Sequence, residues 1–75
     1  MFYCIIERLQ FSNYAFGSYT YSFVEEFQSL EEATEKANEM NQSIRDNREE
    51  YGEFAPYYQA MEFNSEYEMD DWLRE

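Results

Sequence analysis

Seventeen carboxylates against five basic side chains in 75 residues give a net charge of -12, which sets the first condition on any fold this chain can adopt. Residues 1–24 contain only Glu7 and Arg8 as charged groups, so the whole excess lies between Glu25 and Glu75. Like charges at that density repel one another in a compact state, and a domain of this size buries only about 60% of the surface its unfolded chain exposes. The chain folds only if its carboxylates stand on outer faces and its apolar residues supply a dense core. Eight Tyr, seven Phe and Trp72 supply it, an aromatic content of 21% that a disordered acidic tail does not carry. One domain, residues 1–75, is predicted.

Residues 2–9 read as a strand, with Phe2, Cys4 and Ile6 alternating against Tyr3, Ile5 and Glu7. Ser12 to Gly17 carries turn formers and reads as a hairpin loop. From Ser18 to Val24 the alternation is clearest, Tyr19, Tyr21 and Phe23 against Ser18, Thr20 and Ser22. This second strand pairs antiparallel with the first and offers its aromatic row as the floor for a packed helix.

Ser29-Leu30-Glu31-Glu32 is a capping box that opens a helix. Leu30, Ala33, Ala37, Met40 and Ile44 form its apolar stripe, ending near Arg45, and belong with the aromatic row in the core. Residues 46–53 lack a period and read as a loop, closed by Pro56 before a third strand over 57–63. A second box at Ser65-Glu66-Tyr67-Glu68 starts a short C-terminal helix bearing Tyr67, Met69, Trp72 and Leu73. The expected fold is α+β: a small two-layer domain, a three-stranded antiparallel sheet with one main helix on one face and a short C-terminal helix, in the order β-β-α-β-α.

Several chemistries are disfavoured by what is missing. The chain has no histidine, hence no side chain that titrates near neutrality unperturbed and no imidazole for a nucleophile pair or a zinc ion. Two carboxylates can hydrolyse glycosides, but that needs a sugar-binding cleft for which a domain this small has little room. The acidic stretch from Asp46 to Glu53 fails the calcium-loop pattern, because Arg48 takes a ligand position and Tyr51 the place of the turn glycine. No catalytic residue, cofactor or metal site is expected. Direct nucleic-acid binding requires Lys and Arg to displace counterions, so the charge has the wrong sign, and no apolar run reaches the ~18 residues that span a bilayer. The single Cys4, set in an apolar run, reads as a buried reduced thiol. A cytoplasmic protein without a secretory leader is expected.

The sign that excludes nucleic acid favours its binding proteins. Residues four apart on a helix rise about 6 Å, so Glu31, Glu35 and Glu39 form a row of anions on the scale of backbone phosphates. Glu32, Asp46, Glu49, Glu50 and Glu53 extend the row if the following loop folds back, and Tyr51, Tyr57 and Tyr58 are the expected aromatic anchors beside it. In this character, spread over Glu25-Glu26, Glu31-Glu32, Glu35, Glu39, Glu49-Glu50, Glu53 and Glu66 to Asp71, the chain resembles the small acidic phage and mobile-element DNA mimics. Anti-restriction and some anti-CRISPR proteins belong to that group. The resemblance is one of composition, and it implies a stoichiometric inhibitor on the nucleic-acid site of a nuclease, methyltransferase or CRISPR effector. Two alternatives stay open: an antitoxin-like or regulatory module for a dedicated basic partner, and a carboxylate-based divalent-cation binder.

Overall fold

The computed structural model describes residues 1–11, 18–51 and 55–74. In chain order they form β1 (Phe2–Phe11), β2 (Ser18–Phe27), α1 (Leu30–Asp46), a helical turn α2 (Arg48–Tyr51), β3 (Tyr57–Phe63) and α3 (Glu66–Arg74). The strands make one antiparallel sheet in the order β2-β1-β3, so α1 carries the chain across the central strand. The molecule thus has the expected α+β class, three-stranded sheet and element order, but α1 and α3 lie on opposite faces of the sheet, so the expected two layers are three. Where a loop was expected, Arg48–Tyr51 closes one helical turn, begun by the Glu50 amide donating to Asn47 O at 2.9 Å. No residue of that turn is buried, which is why it has no apolar signature. The expected hairpin loop over 12–17 lies outside the described residues.

β1 is covered on both faces. Phe2, Cys4 and Ile6 join Met69 of α3 on one side, while Ile5 joins Ala33 and Ala37 of α1 on the other. Cys4 and Ile5 have 0% exposure and Ile6 1%; a fully buried Ile contributes roughly 1.5–3 kcal/mol. The alanines keep α1 low on the sheet, and the Ser29 hydroxyl caps it by accepting from the Glu32 amide at 3.1 Å. Ser65 does the same for α3 through Glu68 N at 3.3 Å. The carboxylate of Glu68 accepts from Asn64 N rather than Ser65 N, and no return bond from Glu32 forms among the described residues.

The register of β1 and β2 shifts between Ile5 and Ile6: Ile6 pairs with Phe23 but Ile5 with Glu25, leaving Val24 as a bulge. The bulge exchanges the faces of the two halves of β2. Phe23 stands on the α3 side, 6.1 Å from the Phe2 ring, whereas Phe27 packs against the Ile5 cluster under α1. Without the extra residue the two rings would share one face.

Two core expectations are corrected. Tyr19, Tyr21 and Phe23 face away from α1 and keep 43%, 41% and 43% of their surface, because α3 covers only the Phe2–Ile6 end of that face. Leu30 is 39% exposed at the first turn of α1. Trp72 reaches furthest across, edge-on to Tyr21 at 5.1 Å and tilted against Phe63 at 5.9 Å.

A side chain with no sequence signature closes one sheet edge. Asn41 of α1 donates from Nδ2 to Tyr58 O at 2.8 Å and accepts from Tyr58 N at 2.9 Å, occupying both backbone groups of that β3 residue. Asn41→Ala is expected to cost about 1–3 kcal/mol, two net hydrogen bonds. Asn38→Ala, on the exposed side of α1, is expected to cost no more than about 0.5 kcal/mol. Urea unfolding of the two variants checks this, and equal losses would remove the clamp from the account.

Candidate partner-binding surface

α1 buries Ala33, Ala37 and Ile44. At 3.6 residues per turn Glu31, Glu32, Glu35, Glu39 and Asp46 therefore fall on its opposite side, and all five are exposed. The ridge runs about 22 Å from Glu31 to Asp46. Glu49 and Glu50, also exposed, continue it on α2. Glu31 and Glu32 lie in the first turn of α1, where the helix dipole stabilises negative charge.

Lys36, Arg45 and Arg48 stand on the same two helices and bring the ridge's seven negative charges to a net of -4, but few of them pair directly with a carboxylate. Among the described residues the one ion pair is Lys36 with Glu39, at 3.9 Å between exposed side chains, a geometry that stabilises little in water. Arg45 donates instead to Gln42 Oε1 at 3.0 Å, and Gln42 donates in turn to Asp46 Oδ1 at 3.0 Å. Arg45 and Arg48 line a shallow groove of about 330 Å³ at the C-terminal end of α1, beside Pro56. Arg74 stands in the last turn of α3, on the other side of the sheet.

The acidic residues are nonetheless divided between two layers. Glu66, Glu68, Asp70 and Asp71 ride on α3, across the sheet from the α1 ridge. Among the described residues no three acidic or thiol side chains are gathered closely enough to hold a metal ion. Among the described residues no helix is long and apolar enough to cross a membrane.

The expected aromatic anchors also separate. Tyr51 is 45% exposed at the end of α2, next to the ridge. Tyr58 lies beneath α1, its hydroxyl donating to Glu7 Oε2 at 2.8 Å and its backbone held by Asn41. Tyr57, one residue earlier, points to the opposite face and stacks on the Arg8 guanidinium at 5.0 Å. Glu53 lies outside the described residues.

On that opposite face the structure assembles a group that sequence reasoning missed. Arg8, from the central strand, sits between Tyr19 of one edge strand, 4.9 Å away, and Tyr57 of the other. The signal was present in the alternation of Tyr19, Tyr21 and Phe23, but it does not say whether an aromatic row is covered. Neither a protein-family model, nor a curated protein, nor a solved structure matches this chain.

A buried thiol and a half-buried phenol are held neutral. Burial, and then Glu26, push the Cys4 thiol up from 9.0 to about 11; burial, and then the bond to Glu7, push the Tyr58 phenol from 10.0 to about 12. Both folded values are raised, so their contribution to stability is fully present below pH 9.0 and is lost as pH climbs through 11 and 12. Thermal unfolding followed from neutral to strongly alkaline pH is expected to show a melting temperature falling over that range. Tyr58→Phe should flatten the upper part of the fall.

Proposed function

We propose that this protein is a non-enzymatic acidic binder that occupies the basic, nucleic-acid-handling surface of another protein, excluding DNA or RNA from it. The observation that carries the reading is the α1–α2 ridge: Glu31, Glu32, Glu35, Glu39, Asp46, Glu49 and Glu50, exposed and with a single weak ion pair among the described residues. A ridge about 22 Å long presents anions to a channel built for a phosphate backbone, and it does so on a helix whose shape is fixed by the buried Ala33, Ala37 and Ile44. The charges steer the encounter and select partners of opposite sign. Tyr51, exposed beside the ridge, supplies a ring that can seat in a pocket of the partner. The reduced, buried Cys4 suits a cytosolic site of action.

The test is capture of partners from a nuclease-treated lysate of the source cell on the immobilised protein, followed by elution with nucleic acid. The captured proteins are expected to bind nucleic acid and to be released by duplex or single-stranded competitor. Binding should weaken steeply between about 0.05 and 0.5 M salt, as the screening length shortens. Glu31→Gln/Glu35→Gln/Glu39→Gln, which leaves the buried side of α1 intact, should slow association about tenfold or more at low salt. A partner released by salt but never by nucleic acid would replace mimicry with dedicated pairing to a basic protein. Capture indifferent to both salt and the triple substitution would overturn the acidic surface as a site.

A further inference from the structure

The two edges of the sheet are finished differently. At the β3 edge Asn41 clamps both backbone groups of Tyr58. At the β2 edge no described residue from another element donates to or accepts from the backbone, and residues 19–26 are all exposed. An uncovered edge strand is a template for another strand, and proteins ordinarily blunt such edges with charge or proline. Residues 18–24 have neither, in a chain whose net charge is -12.

The Asn41 clamp also fixes which β2 groups are free. In an antiparallel strand the N–H and C=O of one residue point to the same side, and successive residues alternate. Tyr58 directs both groups outward to Asn41, so its partner Glu7 directs its own toward β2, and Ser22, which pairs with Glu7, points back at β1. Tyr19, Tyr21 and Phe23 therefore present their backbone groups at the open edge. Their rings stand together on the α3 side.

We infer that this edge binds a second copy of the chain, β2 against β2, antiparallel about a twofold axis at Tyr21. The segment is self-complementary in that register. Tyr21 meets Tyr21, Tyr19 meets Phe23 of the second copy, and Phe23 meets its Tyr19, the three outward-pointing residues exchanging both hydrogen bonds at each pair. Every such pair is aromatic on the α3 side, and Thr20 meets Ser22 on the α1 side; aromatic and hydroxyl pairs of this kind stabilise adjacent strands. Glu25 and Glu26 pass beyond Tyr19 of the second copy rather than facing each other. The bulge at Val24 ends the pairing before the acidic residues begin.

The remaining charge sets the strength. The two α1 helices lie over β1 and β3, four strand spacings apart in the joined sheet, or roughly 20 Å. That is more than twice the screening length of about 8 Å at physiological salt; α3, whose Trp72 reaches Tyr21 of β2, brings Glu66, Glu68, Asp70 and Asp71 nearer the axis and supplies the repulsion that remains. The contact is small beside the ~800 Å² per partner of a standard interface, so a weak monomer–dimer equilibrium is expected. Its salt response is opposite to that of basic-partner binding: screening relieves repulsion between two anionic copies, so self-pairing tightens as salt rises. The inference stands independently of the acidic-ridge function, and either can fail alone.

Sedimentation equilibrium over a wide concentration range, at low and high salt, tests it. The mass should rise from 9.2 kDa toward twice that value, and further at high salt. Thr20→Lys/Ser22→Lys sets lysines opposite one another across the axis while bringing the net charge of each copy from -12 only to about -10, and should abolish association. Hydrogen exchange gives a readout that does not depend on the variant: the amides of Tyr19, Tyr21 and Phe23 gain protection with concentration, while those of Thr20 and Ser22 are already protected in the monomer. A constant mass, or association unaffected by the lysine pair, would overturn the inference. So would protection of the Tyr21 amide only after a captured partner protein is added, which would give the edge to a foreign strand.

Discussion

The fold depends on one strand being buried from both sides. β1 lies at the centre of a sheet of only three strands, and its Cys4-Ile5-Ile6 run is sealed by α3 on one face and by α1 on the other. Each residue of that run therefore anchors a different layer. For a chain of 75 residues this is an efficient use of apolar area, because a single strand nucleates two clusters. The sheet cannot slip by one residue without exchanging Ile5 for Cys4 and Ile6 against the alanines of α1, a change that leaves both helices misfitted.

Double coverage also decides where the charge can stand. With both faces of the Cys4-Ile5-Ile6 run dry, the carboxylates between Glu25 and Glu75 are confined to the outer sides of the helices, the edge strands and the turns. No charged residue is buried in the described structure. Repulsion is then spread over two layers, one carried by α1 and α2 and the other by α3, with the sheet between them. The α1 share is the more continuous because seventeen helical residues hold it in line, whereas the nine of α3 turn Glu68 to a capping role.

Much of this was legible in the sequence, and the parts that were not share a cause. The capping serines at 29 and 65, the strand over 57–63 and the alanine stripe of α1 are local signals, set by residues within a turn or two of one another. The outward row Glu31, Glu32, Glu35, Glu39 and Asp46 follows from the same periodicity. What failed was coverage. The alternation of Tyr19, Tyr21 and Phe23 identifies one face of a strand but not the helix above it, and the alternation along residues 2–9 does not say that both faces of Cys4-Ile5-Ile6 are covered. The Val24 bulge, the Asn41 clamp and the Arg8 sandwich arise from pairs far apart in the chain, such as Glu7 with Tyr58, and no spacing rule encodes them. Tyr57 and Tyr58, adjacent in sequence, were assigned to one surface although a strand must send them to opposite faces.

The length of α3 links the aromatic excess to the neutral edge. Nine residues of helix span about 13 Å, while a strand of ten residues spans about 33 Å, so α3 leaves the far half of its face bare. Filling that half with aliphatic residues would expose an indiscriminate apolar patch; filling it with carboxylates would add repulsion to a chain already at -12. Tyrosine resolves the conflict, with a ring that packs on its neighbours and a hydroxyl that remains in water. Arg8 is held between two such rings, where a guanidinium gains attraction from both faces. The one stretch of β2 free of charge is thus also the stretch where rings and backbone groups are presented together. The acidic and aromatic parts of this molecule are two outcomes of one constraint, a core too small to cover its own sheet.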